Sequence, residues 1–176
     1  MRNAANASWR DSGLETHEDS AMHFRISGID PAPFQHLFAM SDDELAQHRA
    51  KRYIADSKPG YPCRISLADA EPGERVILAP FAHQTAATAY QSAGPIFVRE
   101  SARERFEAVD EVPEQLATRL LSLRGYDASG MMIDADVVEG RELRGQIKRF
   151  FENEDIAYIH AHFARRGCYA ARIDRA

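Results

Sequence analysis

Cysteine is scarce in this sequence, which has only two cysteines in 176 residues. Cys63 and Cys168 stand far apart and neither belongs to a CxxC pair, so the chain has no disulfide framework and no cysteine-based metal motif. A small residue of this kind in an apolar stretch is typical of a protein core. We therefore interpret both cysteines as reduced core residues, and we exclude the disulfide-rich class of small secreted proteins.

Long hydrophobic runs are also missing. The longest, VILAPFA at residues 76–82, is far shorter than the roughly 20 apolar residues that a membrane-spanning helix needs. Residues 1–22 contain no continuous apolar stretch, so they lack the hydrophobic centre of a secretory signal. We expect a cytoplasmic protein that does not bind membranes.

Positive charge is in the minority, with 22 Lys and Arg against 27 Asp and Glu, a formal net charge of −5 and a pI near 5.8. Nucleic-acid binding generally requires a positive field that displaces counterions from phosphates. We therefore expect no nucleic-acid partner. The 44% hydrophobic and 28% charged composition is that of a folded globular chain.

The order of sequence patterns predicts one α+β domain over residues 23–176, preceded by a flexible N-terminal extension over residues 1–22. The domain is predicted to contain a largely antiparallel sheet with helices packed on one face. Strand-like segments lie at 23–28, 51–56, 62–67, 75–81, 95–100, 121–128, 131–140, 157–164 and 168–174. The segment 75–81 is apolar at nearly every position, which predicts a central strand.

Helices are expected where apolar residues repeat with helical spacing. RELRGQIKRFFENED, residues 141–155, carries Leu143, Ile147, Phe150 and Phe151 on one face. A shorter helix is expected to begin at Pro31, another at Pro113, and SDDE at 41–44 has the spacing of a capping box. We predict a long loop over residues 82–94, of the kind that often carries function.

The last two strands predict a chemically distinctive face. Alternate side chains of a strand point to opposite sides, so Ile159, Ala161 and Phe163 are assigned to the core and Tyr158, His160 and His162 to the other face. In the partner strand, Tyr169, Ala171 and Ile173 are assigned to the core, and Cys168 and Arg172 to the other face. The pattern H-x-H therefore presents two imidazoles side by side.

A second polar pattern, D-x-D, occurs in MMIDADVV at residues 131–138. Alternation predicts that Met131, Ile133, Ala135 and Val137 face the core, while Asp134 and Asp136 face away from it. If this strand neighbours the H-x-H strand, carboxylates and imidazoles lie across from one another.

Three interpretations of the histidine face remain open at this point. One is a solvent-exposed polar sheet face. Another is a metal site for zinc or iron in a metal-dependent enzyme, in which His83, Asp134, Asp136 or Cys63 provides a third ligand to the H-x-H pair. The third is a pocket for a small anionic molecule, which we favour.

The anion pocket assigns acid–base roles to His83, His160 and His162, since imidazole titrates near neutral pH. Arginines are its natural clamps, because a guanidinium holds carboxylate or phosphate through parallel hydrogen bonds. The ligand-binding candidates are Arg64, Arg165, Arg166, Arg172, Cys168 and Tyr158. Cys168 would act as a nucleophile only beside a base that lowers its pKa. A non-catalytic ligand-binding or regulatory module is the alternative that uses the same residues without turnover.

Several stretches together resemble a known family: FRISGIDPAPF, KPGYPCRISLADAEPGERVIL, IFVRE, MMIDADVVEG and YIHAHFARRGCYAARID. The resemblance is to the bacterial domain-of-unknown-function family 1203, and it extends over residues 23–175. It implies a compact, soluble bacterial protein of about this length. It implies no particular activity and assigns no catalytic residue.

Overall fold

A computed structural model describes residues 22–176, so the predicted extension over residues 1–22 lies, apart from Met22, outside the described residues. The strands are β1 (Phe24–Ser27), β2 (Lys51–Ile54), β3 (Arg75–Gln84), β4 (Ser92–Arg99), β5 (Glu107–Val109), β6 (Leu120–Tyr126), β7 (Met132–Glu139), β8 (Tyr158–Phe163) and β9 (Tyr169–Arg175). The helices are α1 (Gln35–Phe38), α2 (Asp42–Gln47), α3 (Glu114–Ala117) and α4 (Leu143–Phe151), with 3-10 turns at Ala32–Phe34 and Gly140–Glu142.

The strands form two antiparallel sheets. The larger has six strands in the order β5-β1-β9-β8-β6-β7, and the smaller has three in the order β2-β3-β4. The predicted α+β class with antiparallel pairing is confirmed, although the strands divide between two sheets. Among residues 22–176, none of the helices has the length and apolar character needed to cross a membrane.

Helix α4 covers one face of the six-stranded sheet. Its Leu143, Ile147, Phe150 and Phe151 are buried, as the amphipathic pattern predicts. They form one core with Ile159, Ala161 and other apolar residues of the sheet. Burial of this face is the main source of stability for so short a helix, because a helix of nine residues is marginal by itself.

The three-stranded sheet packs in a second core, which Tyr169 of β9 joins from the six-stranded sheet. β3 is the central strand of the three-stranded sheet, as predicted, and Ile77 and Ala79 pack with Phe34, Leu37 and other residues of the preceding helical segment. Helix α2 begins with the predicted capping box: the Ser41 hydroxyl accepts from the Glu44 amide, and the Glu44 carboxylate accepts from the Ser41 amide.

The end of the β3–β4 hairpin crosses the second face of the six-stranded sheet. The Phe81 ring lies 5.7 Å from the Tyr169 ring of β9, and the Gln84 amide donates to the Tyr158 hydroxyl of β8 at 2.8 Å. Further along, the Thr88 hydroxyl donates to the Gly130 carbonyl in the β6–β7 turn at 3.2 Å. The hairpin therefore covers the face that carries the H-x-H histidines.

Two predictions of local structure were wrong. Residues 62–67 form no strand; this segment makes only the isolated bridges Pro62–Asp69 and Cys63–Phe97, and Leu67 adopts a positive φ of 47°. Its backbone bonds partly within a turn, where the Cys63 amide donates to the Ala68 carbonyl, and partly to other segments, as where the Arg64 amide donates to the Phe97 carbonyl. The predicted loop over 82–94 is shorter, because β3 continues to Gln84 and β4 begins at Ser92.

The assignment of faces in β7 was also wrong. Asp134 and Asp136 point to the α4 side, where the Asp136 carboxylate accepts from Gln146 at 2.7 Å and from Arg149 at 3.0 Å. Ile133 and Val137 are 42% and 57% exposed. Alternation shows which residues share a face but not which face is covered, and β7 is an edge strand that the α4 side covers only in part.

Candidate functional site

Three histidines meet where the β3–β4 hairpin crosses the six-stranded sheet. The His83 ring centre lies 6.1 Å from that of His160 and 5.0 Å from that of His162, and the two β8 rings are 6.3 Å apart. His160 and His162 are 2% and 1% exposed. The interpretation of this face as an exposed polar surface is therefore wrong, because the hairpin buries it.

His160 lies in a row of residues that runs across four strands. Its register partners are Arg172 on β9 and Arg124 on β6, and Arg172 is in turn opposite Ser27 on β1. Burial, and secondarily the neighbouring imidazoles and the two arginines, lowers the pKa of His160 to about 3. The imidazole is therefore neutral at pH 7.

The His160 imidazole makes no hydrogen bond to any residue in the described part of the chain, and its Nδ1 is buried without a partner. Buried polar groups are nearly always hydrogen-bonded, and leaving one unpaired costs stability. Such groups are concentrated at functional sites. His160 is therefore the strongest indication of a ligand site on this face.

The hydrogen bonding of His162 fixes its tautomer. Its Nδ1 lies 3.1 Å from the Gly167 carbonyl, which can only accept, so Nδ1 carries the proton and Nε2 carries a lone pair. That Nε2 is buried without a partner. Burial is the main reason that the pKa of His162 falls to about 4, and Arg124 is the second cause.

Only one of the two ring nitrogens of His83 has a hydrogen-bond partner within the described part of the chain. Its Nε2 lies 3.0 Å from the Ser92 hydroxyl at the start of β4, while its Nδ1 is buried without a partner. Burial, and secondarily Arg124, lowers the pKa of His83. All three imidazoles of the cluster are therefore neutral near pH 7.

Tyr169 is buried, as predicted, but it lies on the histidine face and not on the face of Ile173. A bulge in β9 pairs Tyr169 with His162 and Arg172 with His160, so that both residues face the histidines. The Tyr169 ring lies 5.1 to 5.7 Å from the rings of His160, His83 and His162. Burial raises the pKa of its phenol.

A cavity of about 430 Å³ opens beside the cluster, on the β1–β9 side of the hairpin. It is lined by Arg25, Ser27, Gly28, Ile29, Asp30, Pro33, Phe81, His83, Arg105, Glu107, His160, Tyr169, Arg172 and Asp174. Its volume falls within the range of small-molecule sites. The imidazoles of His83 and His160 and the guanidinium of Arg172 all line this cavity.

Arg172 is the predicted clamp that lines this cavity. Its guanidinium lies 4.0 Å from the centre of the Tyr158 ring and is oriented by Asp174, whose carboxylate accepts from Nε at 2.9 Å and lies 2.7 Å from Nη2. Nη1 keeps its donors for another acceptor. The Tyr158 ring lies between the Arg172 guanidinium and the Tyr126 ring, on which it stacks at 5.2 Å.

The other predicted ligand residues lie away from the cavity. Arg64 is 2% exposed, donates to the Tyr169 and Pro62 carbonyls and stacks on Phe163 at 4.6 Å. Arg165 and Arg166 are exposed at the β8–β9 turn. The half-buried Cys168 is at the same turn, with its thiol directed to the Arg166 carbonyl at 3.8 Å.

The structure does not bring the D-x-D carboxylates to the H-x-H imidazoles, and that prediction was wrong. β6 separates β7 from β8, and the two patterns point to opposite faces of the sheet. Within residues 22–176, no three His, Cys, Asp or Glu side chains are arranged to hold a metal ion. The three imidazoles of the cluster therefore lie together without the arrangement of a metal site.

Sequence reasoning missed Arg124 and Tyr169. Arg124 lies in a segment predicted correctly as a strand, two residues before Tyr126, and strand pairing alone brings it beside His160. Only the register could have indicated this, because the two residues are far apart in sequence. Tyr169 was missed because the bulge is not visible in the alternation pattern.

Comparison with known families places the chain among proteins whose activity is not described. The model of the family "Protein of unknown function (DUF1203)" matches residues 60–175, well over half of the chain. This range includes β3, β8 and β9, and therefore all three histidines. Comparison with curated proteins and with solved structures gives no match.

Proposed function

Because the chain belongs to DUF1203, a family without a described activity, we propose a function from the site alone: the cavity beside the histidine cluster binds a small anionic molecule. The observation that carries this proposal is His160, buried without a hydrogen bond next to the Arg172 guanidinium. A carboxylate or phosphate in the cavity supplies an acceptor for the guanidinium and a partner for the imidazole.

Oriented guanidiniums in the cavity support an anion over a neutral ligand. The arginines that line the cavity are Arg25, Arg105 and Arg172, and each is near a carboxylate: Arg25 and Arg105 beside Glu107, and Arg172 beside Asp174. The imidazoles therefore lie against cations that are already oriented, so an anion binds without reorganising them. Asp30, Glu107 and Asp174 also line the cavity, so its three arginines and three carboxylates balance in formal charge. Recognition of an anion therefore depends on the oriented Arg172 guanidinium and not on net charge.

The low pKa values favour binding over acid–base catalysis in the unliganded protein. A general base works best when its pKa is near the working pH, and a base with a pKa of about 3 is weak at pH 7. A bound anion stabilises the imidazolium and raises this pKa. Acid–base catalysis at His160, His162 or His83 therefore requires an anionic substrate that raises the pKa of the imidazole when it binds.

The test is a thermal-shift screen with inorganic phosphate, citrate, succinate and pyruvate, followed by affinity measurements on each hit. A ligand that binds only the native state raises the unfolding temperature by mass action. We expect Arg172→Gln to abolish the shift and the exposed Arg166→Gln to preserve it. Equal shifts in both variants would refute the cavity assignment, and turnover of a hit would distinguish an enzyme from a binding module.

We also propose a cytoplasmic location in a bacterial cell. Both cysteines are free in the structure, which agrees with a reducing compartment. The bacterial origin rests on the family resemblance. Fractionation of the native host with an antibody to the protein would test the location directly.

A further inference from the structure

The β3–β4 hairpin divides the histidine face into two halves. The cavity beside Arg172 lies on the β1–β9 side, whereas Arg124 projects from β6 on the other side and does not line that cavity. Arg124 is half-buried, and no carboxylate of residues 22–176 lies within 4 Å of its guanidinium. Half-buried cations without a counter-ion are unusual, since burial of a charge is normally compensated.

An exposed apolar row lies directly beside Arg124. Arg124 is the register partner of Ala135 on β7, and Ser122 is the partner of Val137. Ala135 is exposed, and Ile133 and Val137 are 42% and 57% exposed. Neighbouring residues of this row are about 7 Å apart along the strand. Exposed apolar residues that cluster in this way mark interaction sites more often than scattered ones do.

His162 also lies near this row, on the strand that pairs with β6 on its other side. Its Nε2 lone pair can only accept a hydrogen bond, so it takes a donor and does not bind a carboxylate. The register partner of His162 is Ser122, the residue opposite Val137. Arg124 is close enough to His162 and His83 to lower the pKa of both. A polar cluster therefore adjoins the apolar row.

We propose that β6 and β7 form a second binding site, for an aliphatic monocarboxylate. The carboxylate group pairs with the Arg124 guanidinium, which presents a planar fork of donors matched to two oxygens. The aliphatic chain lies along Ile133, Ala135 and Val137, where it removes exposed apolar area from water. Inorganic anions can pair with Arg124 but do not cover the apolar row. Neutral lipids can cover the apolar row but do not pair with Arg124.

Pairing of β7 with a second copy of the chain is less favourable than this ligand. An antiparallel pair centred on Ala135 places Asp134 of each copy opposite Asp136 of the other, and like charges directly opposite are destabilising. It also leaves Arg124 without a counter-ion. The unpaired cation therefore favours a ligand that carries its own negative charge.

The site is tested by titrating ¹⁵N-labelled protein with octanoate, acetate and octanol and following backbone amide shifts. We expect octanoate to shift β6 and β7 amides, with acetate and octanol at least about tenfold weaker, since each lacks half of the recognised chemistry. Arg124→Gln should weaken octanoate binding about tenfold, and Val137→Ser several-fold. The amide spectrum of each variant verifies its fold.

Matched controls are available on the same chain. Arg166→Gln removes an exposed arginine elsewhere, and Ile54→Ser removes another exposed apolar residue, 66% exposed, on the β2 edge. Both controls should leave the octanoate affinity measured at the β6 and β7 amides unchanged. Equal binding of acetate and octanoate would overturn the proposal, as would equal losses in the controls or a β7-mediated dimer that octanoate does not dissociate.

Discussion

His160 on β8 and Arg172 on β9 are register partners that face the same cavity, the first neutral and without hydrogen bonds, the second oriented by Asp174. The pair joins an unsatisfied imidazole to a positioned guanidinium. Such an arrangement reduces stability in the free protein and becomes favourable when an anion binds. Its consequences are measurable in stability as well as in binding.

Acid should destabilise the protein through the buried histidines. Their folded pKa values, about 3 for His160 and about 4 for His162, lie below the unfolded value of 6.5. The unfolded state therefore binds more protons once the pH falls below about 6.5, and the free energy of unfolding decreases as the pH falls. Each histidine contributes a slope of up to about 1.4 kcal/mol per pH unit above its folded pKa.

His160→Leu isolates this contribution, because it retains volume and removes the titrating group. We expect the variant to be at least as stable as the wild type at pH 7, since the unpartnered Nδ1 is lost. Between pH 5.5 and 4 its stability should decline less steeply, by about 1.4 kcal/mol per pH unit. Urea unfolding at several pH values measures both effects, and parallel curves for the two proteins would contradict the assignment.

Tyr169 should contribute to stability through its ring, and its hydroxyl should contribute little. The ring packs against Phe81 and the three histidines, whereas the hydroxyl makes no hydrogen bond within the described residues. Tyr169→Ala should cost about 3–5 kcal/mol, as aromatic truncations in cores do. Tyr169→Phe should cost less than about 1 kcal/mol. A large loss in the phenylalanine variant would show that the hydroxyl has a structural partner.

Arg64 should behave as a structural residue. Burial lowers the pKa of its guanidinium to about 10, so it stays charged at pH 7 while donating to two backbone carbonyls. Arg64→Met should lose about 2–4 kcal/mol of stability, because those carbonyls lose charged donors. The exposed Arg165→Met should change stability by less than about 0.5 kcal/mol. Similar values for the two variants, from the same denaturation assay, would contradict this role.

Gly130 should control how the hairpin covers the histidines. A Cβ at Gly130 would lie 2.3 Å from the Ala86 Cβ, across the contact between the hairpin and the β6–β7 turn. Gly73 has a similar positive φ, 91° against 87°, with nothing near its Cβ position. Gly130→Ala should therefore cost about 1–3 kcal/mol more than Gly73→Ala. Hydrogen exchange of amides 83–92 should also increase only in the first variant.

The sequence predicted those parts of the site that depend on local periodicity. The amphipathic α4, the final hairpin and the shared face of His160 and His162 all follow from spacing along one segment. Features that depend on pairing did not follow: the separation of Asp134 from the histidines by β6, and the position of Arg124 beside His160. A single bulge reversed the expected face of Tyr169, because one extra residue shifts the alternation of a strand.

The most direct test of the anion cavity is a titration of the imidazole resonances of ¹⁵N-histidine-labelled protein with the tightest-binding anion from the screen. The wild type should show His83 and His160 as neutral at pH 7 before addition, and both resonances should then shift to saturation with one dissociation constant. Arg166→Gln should reproduce this curve, and Arg172→Gln should weaken it at least about tenfold. Unchanged His160 resonances at saturating anion, or the same dissociation constant in both variants, would contradict the account.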